Sequence, residues 1–305
     1  MGRAGNQMFQ YAFARHIQEQ THEDLCIDFT NIYKGDKNDG WKNQLLYFHT
    51  TYTEVSSCKI NMIQKVILKI FLALRKVTCK NRNDQHKLEM RFVRFLNKAG
   101  IFFLTQGYYP FHTKCLFQNK LIMGYFESEK YFEDIRKKIL DEFQPREPRR
   151  NENFGLYKII EENKNSVCMT VRAGDYINDE SIKKTSYLCT PAYFQAAVEK
   201  LRKKLQQKNL ILVVFSDNVD WCRENLHFKE SDTVYFETDG NPVWEKLRLM
   251  SSCGHFIISN SSFSWWAQYL SGNEKKVVVA PSKWRNYECE AIWDTYNPNW
   301  LLVDV

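Results

Sequence analysis

No Cys-x-x-Cys pair occurs in the 305 residues, although the chain holds nine cysteines. They are scattered over positions 26, 58, 79, 115, 168, 189, 222, 253 and 289, several of them inside apolar runs. An odd count without metal-ligand spacing argues against a disulfide framework or a zinc module, and fits reduced thiols in a cytosolic protein. Nor is there an apolar run long enough to span a bilayer: the longest, Val66 to Leu74, is short and interrupted by Lys69, and nothing reads as a signal peptide. A Gly-x-Gly-x-x-Gly after a strand, with an acid further on, is missing, which argues against a nicotinamide oxidoreductase. No Asp-x-Asp is available to clamp a metal against a diphosphate. Nucleic-acid modules of known spacing are absent too, and the basic segment that could serve one holds few aromatics.

What is present describes a folded chain. Hydrophobic residues at 44% and aromatics at 15% are ample for a core. The length exceeds what one core usually supports, so one large or two medium domains are expected. Lys and Arg number 43 against 36 Asp and Glu, a formal charge of +7. That balance suits an anionic ligand or membrane surface, and equally an ordinary soluble enzyme.

The N-terminus opens on Gly2-Arg-Ala-Gly5, a tight loop feeding a helix over Asn6 to about Gln20, with Met8, Phe9, Ala12, Phe13 and Ile17 on one side. Such a loop offers free backbone N–H groups to a ligand, making Gly5 a candidate contact. It should follow a strand, yet only Met1 precedes it, so the expectation is either a start several residues upstream or a sheet whose first strand is missing. A short strand is expected over Leu25–Phe29 and a polar loop over Asn31–Gln44. Residues 59–98 hold eleven Lys or Arg and two acids, Asp84 and Glu89. Within them Ile60–Lys76 reads as a helix with Lys65, Lys69 and Lys76 near one face. Two readings stand open: a core-packed helix with a solvated basic face, or a helix lying on an anionic bilayer. A Gly-aromatic turn from Met123 leads into a helix expected over Tyr131–Phe143. Gln144-Pro-Arg-Glu-Pro-Arg-Arg150 then reads as a domain linker.

Beyond the linker the pattern becomes regular. Strands at 167–172, 210–215, 232–236, 255–259 and 276–280 alternate with helices at about 191–207, 218–225, 242–253 and 262–271. Their unbroken apolar character, as in Leu210–Phe215, implies burial on both faces in a parallel, doubly wound sheet. Three strands end in polar groups: Arg172 to Asp175, Ser216-Asp217-Asn218, and Ser259-Asn260-Ser261-Ser262. In open α/β sheets ligands bind at such ends, and three together point to a nucleotide-type ligand. Arg172, permanently charged and forked, suits a diphosphate.

Several blocks together carry a resemblance to a family. Gly2-x-x-Gly5-Asn6-Gln7-Met8-Phe9-Gln10-Tyr11-Ala12, Gly124-Tyr-Phe-Glu-Ser128, Val171-Arg-Ala-Gly-Asp-Tyr176, Phe215-Ser-Asp217 and Asn260-Ser-Ser-Phe-Ser-Trp-Trp266 follow in order over nearly the whole chain. This series resembles the α-1,2-fucosyltransferases, glycosyltransferase family 11. The resemblance implies an α/β, GT-B-like fold of two Rossmann-like domains facing a cleft, here expected as 1–145 on the acceptor side and 151–305 on the donor side. It further implies GDP-fucose as donor, inversion at the anomeric carbon, a β-galactoside acceptor, and no cofactor or metal. Two positions depart from the family's common His-x-Arg-Arg-Gly-Asp-Tyr: Thr170 stands for the His and Ala173 for the second Arg.

Without a metal, the charge that builds on the departing β-phosphate falls to the protein, and Arg172 is the leading candidate to stabilise it. Gly174, Asp217, Asn260, Ser261, Ser262 and Phe263 are expected beside it as donor-binding residues, the serines at a helix N-terminus. Asn6, by similarity to the protein O-fucosyltransferases, is expected to face the reacting centre or acceptor. Asp175 is the candidate base, or else fixes the loop or Arg172. Asp217 is expected to cap its helix or touch the nucleoside, and Trp265 and Trp266 to pack in the core. The competing function is a silent GDP-sugar-binding relative. The acceptor is expected to be a free or lipid-linked oligosaccharide, not nucleic acid. The setting implied is the bacterial cytoplasm, with peripheral contact at the inner membrane.

Overall fold

The computed structural model describes residues 2–33, 41–57, 60–238 and 240–305, without the side chains of Asp175, Asn178 and Ser181. The chain divides into two compact units. One is Met1–Phe143 with Tyr287–Tyr296, and the other is Gln144–Asn286 with Asn297–Val305.

In the first unit, helix α1 (Ala4–Thr21) buries Met8, Phe9, Ala12, Phe13 and Ile17, the side expected from their spacing. It starts at Ala4, so Gly5 lies in its first turn and is buried rather than looped out. Gly2, at φ +94°, is where glycine is required: a Cβ there would sit 2.4 Å from Nδ2 of Asn6. The strand expected near residue 25 is β1 (Cys26–Asp28), paired in parallel with β2 (Thr53–Val55). Half of the expected 31–44 loop, residues 34–40, lies outside the described residues. Helix α2 (Met62–Thr78) is initiated by Asn61, whose side chain accepts from the Ile63 N–H at 2.8 Å while its own N–H donates to Gln64 at 3.0 Å. Helix α3 (Arg82–Lys98) follows. A second parallel pair joins β3 (Ile101–Leu104) to β4 (Leu121–Gly124). Phe71, Leu96, Ala99, Ile101 and Phe103 form the core between these helices and strands. Core packing covers one side of α2 only, however: Gln64 and Phe71 are buried, whereas Met62, Ile63, Val66, Ile70, Leu74 and Val77 are exposed.

The helix expected over Tyr131–Phe143 is broken. Phe132 has φ −149° and ψ 18° and is fully buried, its ring 6.1 Å from that of Phe9, so α4 forms only over Arg136–Glu142. There the Tyr11 hydroxyl donates to Glu142 at 2.6 Å and accepts from the Thr51 N–H at 3.0 Å, tying α1 to α4. Segment Tyr287–Tyr296 also belongs to this unit. Asp294 accepts from the Ser128 hydroxyl at 2.6 Å and from Lys130 at 2.7 Å, and Thr295 donates to the Glu127 carbonyl at 3.2 Å.

The second unit begins with α5 (Phe154–Glu162), and its sheet starts at β5 (Val167–Val171). After β5 come α6 (Gly174–Asn178), α7 (Glu180–Ser186), α8 (Pro191–Leu205), β6 (Ile211–Ser216) and α9 (Val219–Asn225). Then follow β7 (Thr233–Phe236), α10 (Val243–Ser252), β8 (His255–Ile257), α11 (Ser262–Tyr269), β9 (Val278–Pro281) and β10 (Leu301–Val303). The six strands are all parallel and lie in the order β7-β6-β5-β8-β9-β10. Numbered from β5, that is 3-2-1-4-5-6, the doubly wound dinucleotide-binding order, with its topological switch point between β5 and β8. Val167, Met169, Val171, Leu212 and Val214 pack with Tyr193, Ala197 and Leu201 of α8. The alternate residues Cys168, Val213 and Phe215 are buried as well, so both sheet faces are covered, as the unbroken apolar runs implied. The α/β expectation is met, and five of the six strands fall within two residues of their expected positions. The sixth, β10, was not foreseen.

Candidate active site

Four residues beyond the strand ends form one connected group at the switch point. Arg172 follows β5 directly, and its Nη1 lies 2.8 Å from Oδ2 of Asp217, which follows β6. The other oxygen of the same carboxylate accepts from the N–H groups of Ala173 at 2.8 Å and Gly174 at 3.0 Å. Asp217 therefore does not cap α9; Asn218 does, accepting from the Trp221 N–H at 3.0 Å. Instead Asp217 fixes the turn after β5 and aims the guanidinium. Gly174 is needed for this approach, because a Cβ there would lie 2.9 Å from Asp217 Oδ2.

The guanidinium of Arg172 sits 5.1 Å over the ring of Tyr176, whose hydroxyl donates to the Asn260 carbonyl at 3.3 Å. Asp217, Arg172, Tyr176 and Asn260 thus link the ends of β6, β5 and β8. Tyr176 was part of the quoted motif but not singled out; only its ring contact and hydroxyl bond reveal its place.

Asn260 is fully buried. Its amide donates to the carbonyls of Ser186 at 2.8 Å and Trp284 at 3.2 Å, and its Oδ1 accepts from Cys189 at 3.5 Å. Burial pushes the Cys189 thiol up to about 12, so it stays protonated and donates. The side chain of Asn260 is occupied in holding the β8–α11 turn. Beyond it Ser261 is the N-cap position of α11 without a side-chain cap bond, and Ser262 and Phe263 are half-buried in the first turn. The N-terminus of an eight-residue helix, with its partial positive charge, so lies next to the switch point. Trp265 and Trp266 point inward and pack against Tyr269.

Thr170 and Ala173, the two departures from the family pattern, have structural employment. Thr170 is buried in β5 and accepts from the Ser259 N–H at 3.3 Å, and Ala173 is buried in the core. A further pair not foreseen flanks the end of β6: Glu237 accepts from the Ser216 N–H at 2.7 Å and pairs with Lys246 at 2.9 Å. The backbone of Asp175 lies in α6, but its side chain is outside the described residues. In the first unit, Asn6 is half-buried in the opening turn of α1, and neighbouring Gln7 donates to the carbonyls of Gly2 at 3.0 Å and Lys42 at 2.9 Å. Among the described residues, no group of three His, Cys, Asp or Glu is placed to hold a metal.

A mixed α/β chain with a six-stranded parallel sheet and an arginine held at its switch point has the features of a GT-B-like glycosyltransferase. The family model described as Glycosyl transferase family 11 matches residues 1–304, and the chain belongs to that family. It is similar to an alpha-1,2-colitosyltransferase of Escherichia coli, at 25% identity over 99% of this chain and 97% of that one. It is also similar to the O-antigen biosynthesis glycosyltransferase WbnK of Escherichia coli, at 28% over 93% of this chain and 92% of the relative. Galactoside alpha-(1,2)-fucosyltransferase 1 of Leontopithecus chrysomelas is 27% identical over 50% of this chain and 43% of its own. The family expected from the sequence motifs is thereby established.

Proposed function

We propose that this glycosyltransferase moves L-fucose from GDP-fucose to the 2-hydroxyl of a terminal β-galactoside, with inversion, in glycan or surface-polysaccharide synthesis. The observation that carries the reading is the Arg172–Asp217 pair at 2.8 Å beside the β5/β8 switch point. A departing nucleoside diphosphate leaves with the bonding electrons of the sugar–oxygen bond, and its new charge collects on the β-phosphate. Arg172, aimed by Asp217, neutralises that charge, and N–H groups at the start of α11 add to it. Ser261, Ser262 and Phe263 are proposed to line the donor, beside the turn that Gly174 and Asp217 form. Asn6 is proposed as an acceptor-side residue. The acceptor oxygen forms the new bond on the opposite face of the sugar and gives up its proton, for which Asp175 is the proposed base.

One observation favours a second donor. A relative matched over nearly its whole length is named a colitosyltransferase, so colitose could replace fucose on the nucleotide. The test is turnover of GDP-fucose, and of the corresponding colitosyl nucleotide, with lactose, lacto-N-biose and N-acetyllactosamine. Acceptor-dependent GDP release and a 1,2-linkage in the product are expected. Release from the colitosyl donor alone would transfer the assignment to the second reading. No acceptor-dependent release from either donor, despite GDP binding, would favour a silent sugar-nucleotide-binding protein.

A further inference from the structure

We propose that the outward face of α2 docks this protein on an anionic lipid bilayer, the helix lying flat in the headgroup layer. The inference rests on surface chemistry of the first unit and is independent of the donor and acceptor assignments above. A water-exposed helix ordinarily turns polar residues outward. Here Met62, Ile63, Val66, Ile70, Leu74 and Val77 face out, with Met62 72%, Ile70 64% and Val77 84% exposed. At 3.6 residues per turn the six span about 120° of the helix circumference, an unbroken stripe. Lys65, Lys69 and Lys76 fall within the next ~60° along one edge of it, and all three are exposed.

Cations dominate this surface, and the exposed acid brought to it from outside residues 59–98, Glu290, is paired with Lys87 of α3 at 2.7 Å. Of the two acids in residues 59–98, Glu89 is fully buried, 3.0 Å from Arg75 and 2.7 Å from the Thr105 hydroxyl. Asp84 is turned onto the Lys80 N–H at 2.9 Å, at the start of α3. Helix α3 packs against α2 through Leu88, Phe92 and Leu96, and adds exposed Arg91, Arg94 and Phe95. An apolar stripe bordered by cations is matched on both counts by acyl chains beneath anionic headgroups. A second copy docked on the same face would instead bring two lysine rows into one interface. Among the described residues no helix is long and apolar enough to cross a membrane, so α2 would lie on the surface.

The test is co-sedimentation of the full chain with vesicles of phosphatidylcholine alone and of phosphatidylcholine with phosphatidylglycerol. Binding is expected to the anionic vesicles only, and to weaken when salt is raised from about 0.1 to about 0.5 M because the charges are then screened. Lys65→Gln/Lys69→Gln/Lys76→Gln should weaken it about a hundred-fold. Val66→Asp/Ile70→Asp should also abolish it, whereas Lys203→Gln/Lys204→Gln on exposed positions of α8 should not matter. Unchanged melting curves will show that these surface variants fold. Equal binding to neutral vesicles, binding to neither, or wild-type binding by both α2 variants would overturn the proposal. Self-association that Val66→Asp/Ile70→Asp breaks, without vesicle binding, would overturn it in favour of a dimer.

Discussion

The substitution Asp217→Asn separates the two things that this carboxylate does. The amide that replaces it can still present its oxygen to the N–H groups of Ala173 and Gly174, now 2.8 and 3.0 Å from the carboxylate. The amide nitrogen would then face Arg172 Nη1 at the position where Oδ2 stands 2.8 Å away, donor against donor. The turn is kept and the aim of the guanidinium is lost. A hydrogen bond to a charged group contributes about 1.5–3 kcal/mol. If roughly half of that is expressed in the transition state, kcat/KM falls about 10-fold. Arg172→Ala removes the cation itself and should cost about 10²–10³-fold. The decisive measurement is the double variant: with Arg172 absent there is nothing left to aim, so Asp217→Asn should add no more than about 2-fold, a coupling of about 1 kcal/mol. Single-turnover rates with GDP-fucose on the four proteins, with melting curves as a folding check, supply the cycle. A full loss from Asp217→Asn in both backgrounds would show that Asp217 acts apart from Arg172. A folded Arg172→Ala enzyme with more than a tenth of the wild-type rate would remove Arg172 from the mechanism.

Three further outcomes can be checked. Activity should survive EDTA, since Arg172 is assigned the electrostatic part that a metal would play; loss on chelation with recovery on Mn²⁺ or Mg²⁺ would contradict it. Gly174→Ala should lower kcat/KM by pressing a methyl against the Asp217 carboxylate, now 2.9 Å from that position, and an unaffected enzyme would show the turn to be slack. Asp232→Asn should destabilise the second unit by about 2 kcal/mol, because it breaks a buried pair and leaves the guanidinium of Arg202 with half-exposed Glu199, 3.2 Å away, as its remaining anionic partner. The Asp232 side chain is fully enclosed and meets Arg202 at 2.6 and 3.0 Å and the Leu210 N–H at 2.8 Å. Burial raises its carboxyl, but Arg202 and that N–H outweigh it and hold it below the ordinary value. A depressed folded pKa stabilises above the unfolded value and is lost below it, so wild-type melting should fall below about pH 4 and the variant should show a flatter slope there. An identical slope in both would refute the assignment.

Periodicity made the second unit legible because its strands are buried on both faces and its helices on one, which prints the sheet into the sequence as apolar runs. Leu301–Val303 escaped because three residues at an edge carry no such run. The turn after β5 was recognisable by residue type, yet Asp217 holding that turn, rather than its own helix, depends on contacts 43 and 44 residues apart in sequence. The inward turn of Asn260 is likewise a matter of packing: an asparagine at a strand end reads the same whether it faces a ligand or the carbonyl of Trp284. For α2 the pattern was visible but its meaning was not. Seventeen residues with a strong apolar side fit a core helix and a bilayer-bound one alike, and only the arrangement of Phe71 and Gln64 against the body shows that a second apolar stripe is left over.

The return of Tyr287–Tyr296 to the first unit has a consequence for biosynthesis. Domains commonly finish folding in the order in which they leave the ribosome. Here Ser128 and Lys130 wait for Asp294, a partner made 166 and 164 residues later. The intervening stretch encodes nearly all of the second unit, whose own last strand comes still later, at Leu301–Val303. Neither unit can be completed before residues 287–303 have been made, so their final steps depend on the same short stretch of chain. A chain stalled or cleaved before Tyr287 would therefore leave both units open at once.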